Sequence, residues 1–175
     1  MRTRRLAPPD HSFVADLLRS DETFVEEEVQ VAMELIDSAI RDPEGDYRAL
    51  VCEDDAALVV GYACFGRTPM TQATCDLYWL ATHRQARGRG VGTRLVLAME
   101  AELLGAGMRT VRVETSKLEA YGAARAFYAR LGYREVGRIP DFYRQGDDLI
   151  ILAKRLDLPL SLGQVDSSRG AQRLA

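Results

Sequence analysis

The stretch Leu77-Tyr78-Trp79-Leu80-Ala81-Thr82-His83-Arg84-Gln85-Ala86-Arg87-Gly88-Arg89-Gly90-Val91-Gly92-Thr93 runs from an apolar segment through a glycine-rich turn into a helix. Leu77 to Ala81 has the character of a strand end, and Val91, Leu95, Met99 and Leu103 then recur at helical spacing. A glycine-rich turn between a strand and a helix is an anion cradle. The helix N-terminus leaves backbone N–H groups without intrahelical acceptors and carries partial positive charge. Glycine lets the backbone come close to a phosphate. Arg84, Arg87, Arg89 and Arg94 add charge, and no acidic residue between Leu77 and Met99 opposes them.

Neighbouring residues decide which anion is held. A Walker loop ends in Gly-Lys-Ser/Thr, and Gly92-Thr93 has no lysine before the threonine. A dinucleotide fingerprint reads Gly-x-Gly-x-x-Gly with an acid about 20 residues on. Here Gly88, Gly90 and Gly92 alternate, so the spacing fails although Glu114 arrives on time. What remains is Arg87-x-x-Gly90-x-Gly92. Downstream stand the strand-like Val111-Arg112-Val113-Glu114-Thr115-Ser116, the segment Ala123-Ala124-Arg125-Ala126-Phe127-Tyr128-Ala129-Arg130-Leu131-Gly132-Tyr133, and the closing run Asp147 to Lys154. Over roughly residues 3–156 this order of signatures resembles the Gcn5-related N-acetyltransferases (GNAT family), which hold the pyrophosphate of coenzyme A in such a loop. One departure is Tyr121, seven residues before Tyr128, where many members carry asparagine. No role is carried over to it.

The resemblance implies an α+β (mixed α/β) fold. Its central sheet would be mostly antiparallel, with splayed central strands and flanking helices. Element order read from the residues agrees: strand, helices, three strands, helix, strand, helix, two strands. Thr23-Phe24-Val25-Glu26 reads as a capping box, followed by Val25, Val29, Met33, Ile36 and Ile40 at helical spacing. Further strands are expected at Arg4–Leu6, Tyr47–Cys52, Ala57–Phe65, Asp76–Ala81, Thr110–Glu114, Tyr133–Arg138 and Leu149–Arg155, and helices at Val91–Leu104 and Ala120–Leu131.

The 175 residues are 47% hydrophobic and 28% charged, the composition of an ordinary globular chain. One domain is expected over 1–156, followed by a polar tail at 157–175. Apolar runs are too short to span a bilayer and the N-terminus lacks a signal-peptide core, so the expected location is cytoplasmic. A net charge of −3 argues against a nucleic-acid binder. Cys52, Cys64 and Cys75 read as buried free thiols, and with two scattered histidines no metal site is expected.

The implied reaction moves an acetyl group from a thioester sulfur to an amine. The amine must be unprotonated, although an alkyl ammonium has a pKa near ~10.4. Three roles follow: a base for the amine, an N–H donor for the oxyanion, and an acid for the departing thiolate. Tyr128 matches the family tyrosine beside the sulfur and is the expected acid. Asp76, eleven residues before Arg87, is the leading base, with Glu114 as rival. By position in the family, backbone groups of Leu80 and Thr82 pair with the pantetheine arm, and the Leu80 N–H is the oxyanion donor. The pyrophosphate falls to Arg87, Gly88, Arg89, Gly90, Val91, Gly92 and Thr93. His83 and the run Glu26–Glu28 read as incidental surface. The aromatic segment Asp141-Phe142-Tyr143-Arg144 either walls the acceptor pocket or packs its hairpin on the core.

The resulting expectation is an acetyl-CoA-dependent N-acetyltransferase acting by direct transfer on a primary amine of a small molecule, or of a peptide. The partners are acetyl-CoA and the amine, with neither nucleic acid nor membrane, and a homodimer is left open. Alternatives are an enzyme using another acyl-CoA, or a catalytically silent CoA-binding module.

Overall fold

A computed structural model describes residues 1–21 and 24–156. Seven strands form one sheet in the order β1-β2-β3-β4-β5-β7-β6. These are β1 (Arg2–Arg5), β2 (Tyr47–Glu53), β3 (Val59–Arg67), β4 (Thr74–Thr82), β5 (Thr110–Ser116), β6 (Arg134–Arg144) and β7 (Asp147–Arg155). All neighbours pair antiparallel except β4 and β5. The helices are α1 (His11–Arg19), α2 (Glu26–Arg41), α3 (Val91–Gly105) and α4 (Gly122–Arg130). This is the expected mixed α+β architecture.

Helices cover both faces because two apolar stripes demand it. On one face Val91, Leu95, Met99 and Leu103 of α3 and Tyr128 of α4 pack on Phe65, Leu77, Val111, Val113, Ile150 and Leu152. On the other, Val14 and Leu18 of α1 and Val29 and Ile36 of α2 pack on Val51, Tyr62, Cys64 and Ala81. Strand β3 is sandwiched between them, and its glycine lets α3 approach. A Cβ on Gly61 would stand 2.6 Å from Val91 Cγ1 and 3.1 Å from the Ala81 carbonyl oxygen. The three cysteines are free and buried, as expected.

The parallel pair is short. β4 and β5 are in register only from Thr74↔Thr110 to Leu77↔Val113. Beyond that point β5 stays with β7, as in Glu114↔Ile151 and Ser116↔Leu149, while β4 stays with β3 through Thr82↔Gly61. The two strands part like the arms of a V. A bulge lies at the fork: Phe65 faces Leu77 and Cys64 faces Trp79, leaving Tyr78 without a partner. An extra residue bends and twists its strand, and this one re-aims β4. Leu77 and Leu80 join the α3 cluster, whereas Trp79 and Ala81 join the α1–α2 cluster.

Several boundaries differ from expectation. Helix α2 starts at Glu26 with Val25 as N-cap, and Glu28 accepts from the Val25 N–H at 3.0 Å. The capping box expected at Thr23 lies outside the described residues, as does the tail at 157–175. Before α4 the chain makes a 3₁₀ turn at Glu119–Tyr121. Strand β6 runs on to Arg144, past the expected end at Arg138, and takes in the Asp141–Arg144 segment. Its Phe142 and Tyr143 are about half exposed, which overturns the reading that they pack on the core. Pairing with β7 stops at Ile139↔Leu149 and resumes at Arg144↔Asp147, so residues 140–143 bulge out of the ladder, with Asp141 at φ 52°.

Candidate active site

The turn after β4 is built by backbone bonds. His83 Nδ1 accepts from the Gln85 N–H at 3.3 Å, so the histidine read as incidental caps a 3₁₀ turn at Arg84–Ala86. The Arg89 N–H then reaches the Ala86 carbonyl at 3.3 Å. Gly88 and Gly90 adopt φ 75° and 82°, a left-handed conformation that side-chain-bearing residues rarely take. A Cβ on either would meet nothing within 4 Å. These two glycines therefore serve the turn and leave open space above it. Gly90 is the N-cap of α3, and its carbonyl takes the Arg94 N–H at 3.0 Å. The preceding amides of Val91, Gly92 and Thr93 are the first-turn donors that no α-helix satisfies internally. Gly92 has a different reason: a Cβ there would lie 3.3 Å from Phe127 Cζ, so α4 closes on the first turn of α3.

The Arg cluster is opposed after all. Arg87 Nη2 meets Asp21 Oδ2 at 2.6 Å, across 66 residues of chain. Absence of an acid from the loop's own sequence does not mean absence in space. Nothing in the sequence marks Asp21, which lies just past α1.

The V between β4 and β5 opens beside this turn. The His83 N–H donates to the Val60 carbonyl at 2.8 Å. Bonding alternates along an antiparallel ladder. Ala81 thus turns its backbone groups to β3, and Leu80 and Thr82 turn theirs toward the opening.

Tyr128 is 7% exposed and meets Phe127 and Tyr133 edge-to-face at 5.2 and 5.4 Å. Burial pushes its phenol well above the ordinary tyrosine value. Behind it a polar network is buried: the Tyr133 hydroxyl donates to Glu100 Oε1 at 3.0 Å, and Lys154 Nζ reaches Glu100 Oε2 at 2.6 Å.

The two candidate bases share one arginine. Asp76 is 6% exposed, with Oδ1 2.5 Å from Arg112 Nε and Oδ2 accepting from the Thr68 hydroxyl at 2.9 Å. Glu114 meets Arg112 Nη1 at 3.3 Å and keeps 43% of its side chain exposed. The sequence offered no hint of Arg112 as the link. Its position opposite Asp76 in the parallel register makes the contact. On the other arm of the V, Ser116 donates to Asp147 at 2.5 Å, a buried pair that sequence reasoning also missed.

Among the described residues no cluster of His, Cys, Asp or Glu is arranged to hold a metal ion. No helix in them is long and apolar enough to cross a membrane. Burial raises all three thiols, Cys64 to about 12.

A sequence model of the acetyltransferase (GNAT) domain matches residues 45–135. The crystal structure of a protein from Desulfovibrio desulfuricans, assigned as a GNAT-family acetyltransferase, superposes with a TM-score of 0.84 at 34% identity, covering 89% of this chain and 99% of that one. An aminoglycoside 6'-N-acetyltransferase from Enterococcus faecium shares the fold, with a TM-score of 0.74 at 22% identity over 91% of this chain and 99% of that one. An uncharacterised N-acetyltransferase of Methanocaldococcus jannaschii is 32% identical over 79 residues, 43% of this chain. The match spans about half the length of that curated relative (48%).

Proposed function

The chain belongs to the GNAT family of acetyltransferases, enzymes that use acetyl-CoA, and on that premise we propose that it transfers the acetyl group directly to a primary amine of a small molecule. The observation that carries this reading is the junction of three features. The β4–β5 fork opens beside the glycine turn, and α4, which carries Tyr128, closes on the same turn through the Phe127–Gly92 contact.

Acetyl-CoA supplies an activated acyl group on a sulfur that leaves as a thiolate. The residues present fit it. Open space above Gly88 and Gly90, with the first-turn amides of Val91, Gly92 and Thr93 and the charges of Arg87 and Arg89, suits a pyrophosphate. The outward backbone groups of Leu80 and Thr82 suit a pantetheine amide, and the Leu80 N–H suits a developing oxyanion. Tyr128, kept protonated by burial, serves as proton source for the thiolate.

For the base, geometry favours Glu114 over Asp76. Both Asp76 oxygens are engaged, one by Arg112 of β5 and the other by the Thr68 hydroxyl. Glu114 stands just past the fork with an accessible carboxylate. Direct transfer is preferred to an acetyl-cysteine route because the buried thiols, raised by desolvation, are poor nucleophiles. We further propose a single domain over residues 1–156 and a cytoplasmic location.

Structural neighbours act on aminoglycosides and on the alanine of ribosomal protein S18. At 20% and 18% identity they share the fold alone and do not choose the acceptor. The test is thiol release from acetyl-CoA across polyamines, aminoglycosides, amino acids and N-terminal peptides. Release with a small amine is expected. Release only with a peptide would replace the small-molecule reading, and release only from succinyl- or propionyl-CoA would replace the acetyl donor. CoA binding with no turnover at all would leave a silent module.

A further inference from the structure

We infer that Asp21 is the resident counter-ion of Arg87 and that the acyl donor's pyrophosphate takes its place. The inference rests on the reading that residues 87–93 hold that pyrophosphate.

Asp21 follows α1, where its N–H bonds the Leu18 carbonyl at 3.1 Å. Its carboxylate is 12% exposed and lies 2.6 Å from a guanidinium that is half exposed. The pair thus sits at the rim of the turn, carboxylate inward and arginine outward. Carboxylate and phosphate oxygens compete for the same planar fork of N–H donors. Exchange of partners relieves this competition, whereas adding the phosphate beside the carboxylate does not.

The exchange also has a place in the fold. The Asp21 carbonyl takes the Phe24 N–H at 3.1 Å, and the Phe24 ring lies edge-on to Trp79 at 5.6 Å. Trp79 directly precedes Leu80 on the strand that faces the opening. The Asp21 backbone is thus tied to the residue that packs on Trp79.

Calorimetric titration with CoA tests the exchange. Asp21→Asn should bind CoA about three- to five-fold more tightly than wild type, the scale of a part-exposed ion pair. Asp21→Glu, which keeps the charge, should restore wild-type affinity. In an Arg87→Ala background the Asp21→Asn change should shift affinity by less than about two-fold, since the coupling partner is gone. Pantetheine, which lacks the pyrophosphate, should bind wild type and Asp21→Asn equally. Weaker CoA binding by Asp21→Asn would overturn the exchange and make Asp21 a positioning residue for Arg87. An equal shift for CoA and pantetheine would overturn it in favour of a merely structural role. Failure of the underlying reading is distinct: Gly90→Glu would then bind CoA as wild type does, and the exchange would fall with it.

Discussion

Arg112 Nε lies 2.5 Å from Asp76 Oδ1, and the same guanidinium reaches Glu114 at 3.3 Å. One arginine thus joins Asp76, one rung short of the last β4–β5 pair, to Glu114, the first residue beyond the fork. The sequence ranks Asp76 ahead of Glu114 as the base, and the proposed mechanism gives them different work.

Asp76→Asn should therefore act on stability. It replaces a charge-assisted bond to Arg112 with a weaker one, and a loss of about 1–3 kcal/mol is expected in chemical denaturation. Glu114→Gln should leave the melting temperature nearly unchanged while lowering kcat/KM at neutral pH by roughly 10²-fold, the scale of general base catalysis. Raising the pH should partly rescue it, because the amine then arrives deprotonated. A rate loss in Asp76→Asn with no loss of stability would reverse the assignment.

Gly90 separates strain from charge. Gly90→Ala meets no neighbour and costs only the left-handed conformation, about 1–2 kcal/mol. Gly90→Glu carries that strain and also sets a carboxylate over the cradle. CoA affinity should survive the first substitution and vanish in the second, as read by calorimetry on protein checked for folding by circular dichroism.

Tyr128→Phe keeps the edge-to-face contacts with Phe127 and Tyr133 and removes one hydroxyl. We expect kcat to fall about 10²-fold where chemistry limits turnover, with KM for acetyl-CoA changed much less. Burial raises the phenol, so in wild type the limb reporting its loss should lie above pH ~10, the ordinary phenol value. An unchanged kcat would reduce Tyr128 to a packing residue.

Alkaline stability follows from the buried acids whose neutral form the fold protects. The Cys64 thiol is pushed up to about 12, and burial also raises Tyr62 and Tyr128. Each holds its proton in the folded chain and loses it earlier when unfolded, so the stabilisation is complete below the unfolded value and declines above it. For Cys64 the decline should begin near pH ~9 and approach about 1.4 kcal/mol per pH unit, with the tyrosines adding from about pH 10. Melting temperatures between pH 8 and 11 check this: Cys64→Ala should flatten the slope between pH 9 and 10.

The sequence by itself determined the family, the order of elements and the buried stripes of α3, because local periodicity and the glycine turn are short-range properties. Gly88 and Gly90 were readable as turn residues for that reason. The splay was readable only through resemblance, since the bulge at Tyr78 depends on how β3 and β4 align. Tertiary structure alone decided which charges meet. Asp21 lies 66 residues from Arg87 and Asp76 lies 36 from Arg112, and both pairs form because packing brings distant segments together. Electrostatic partners act through space, and along the chain such pairs leave no pattern to read.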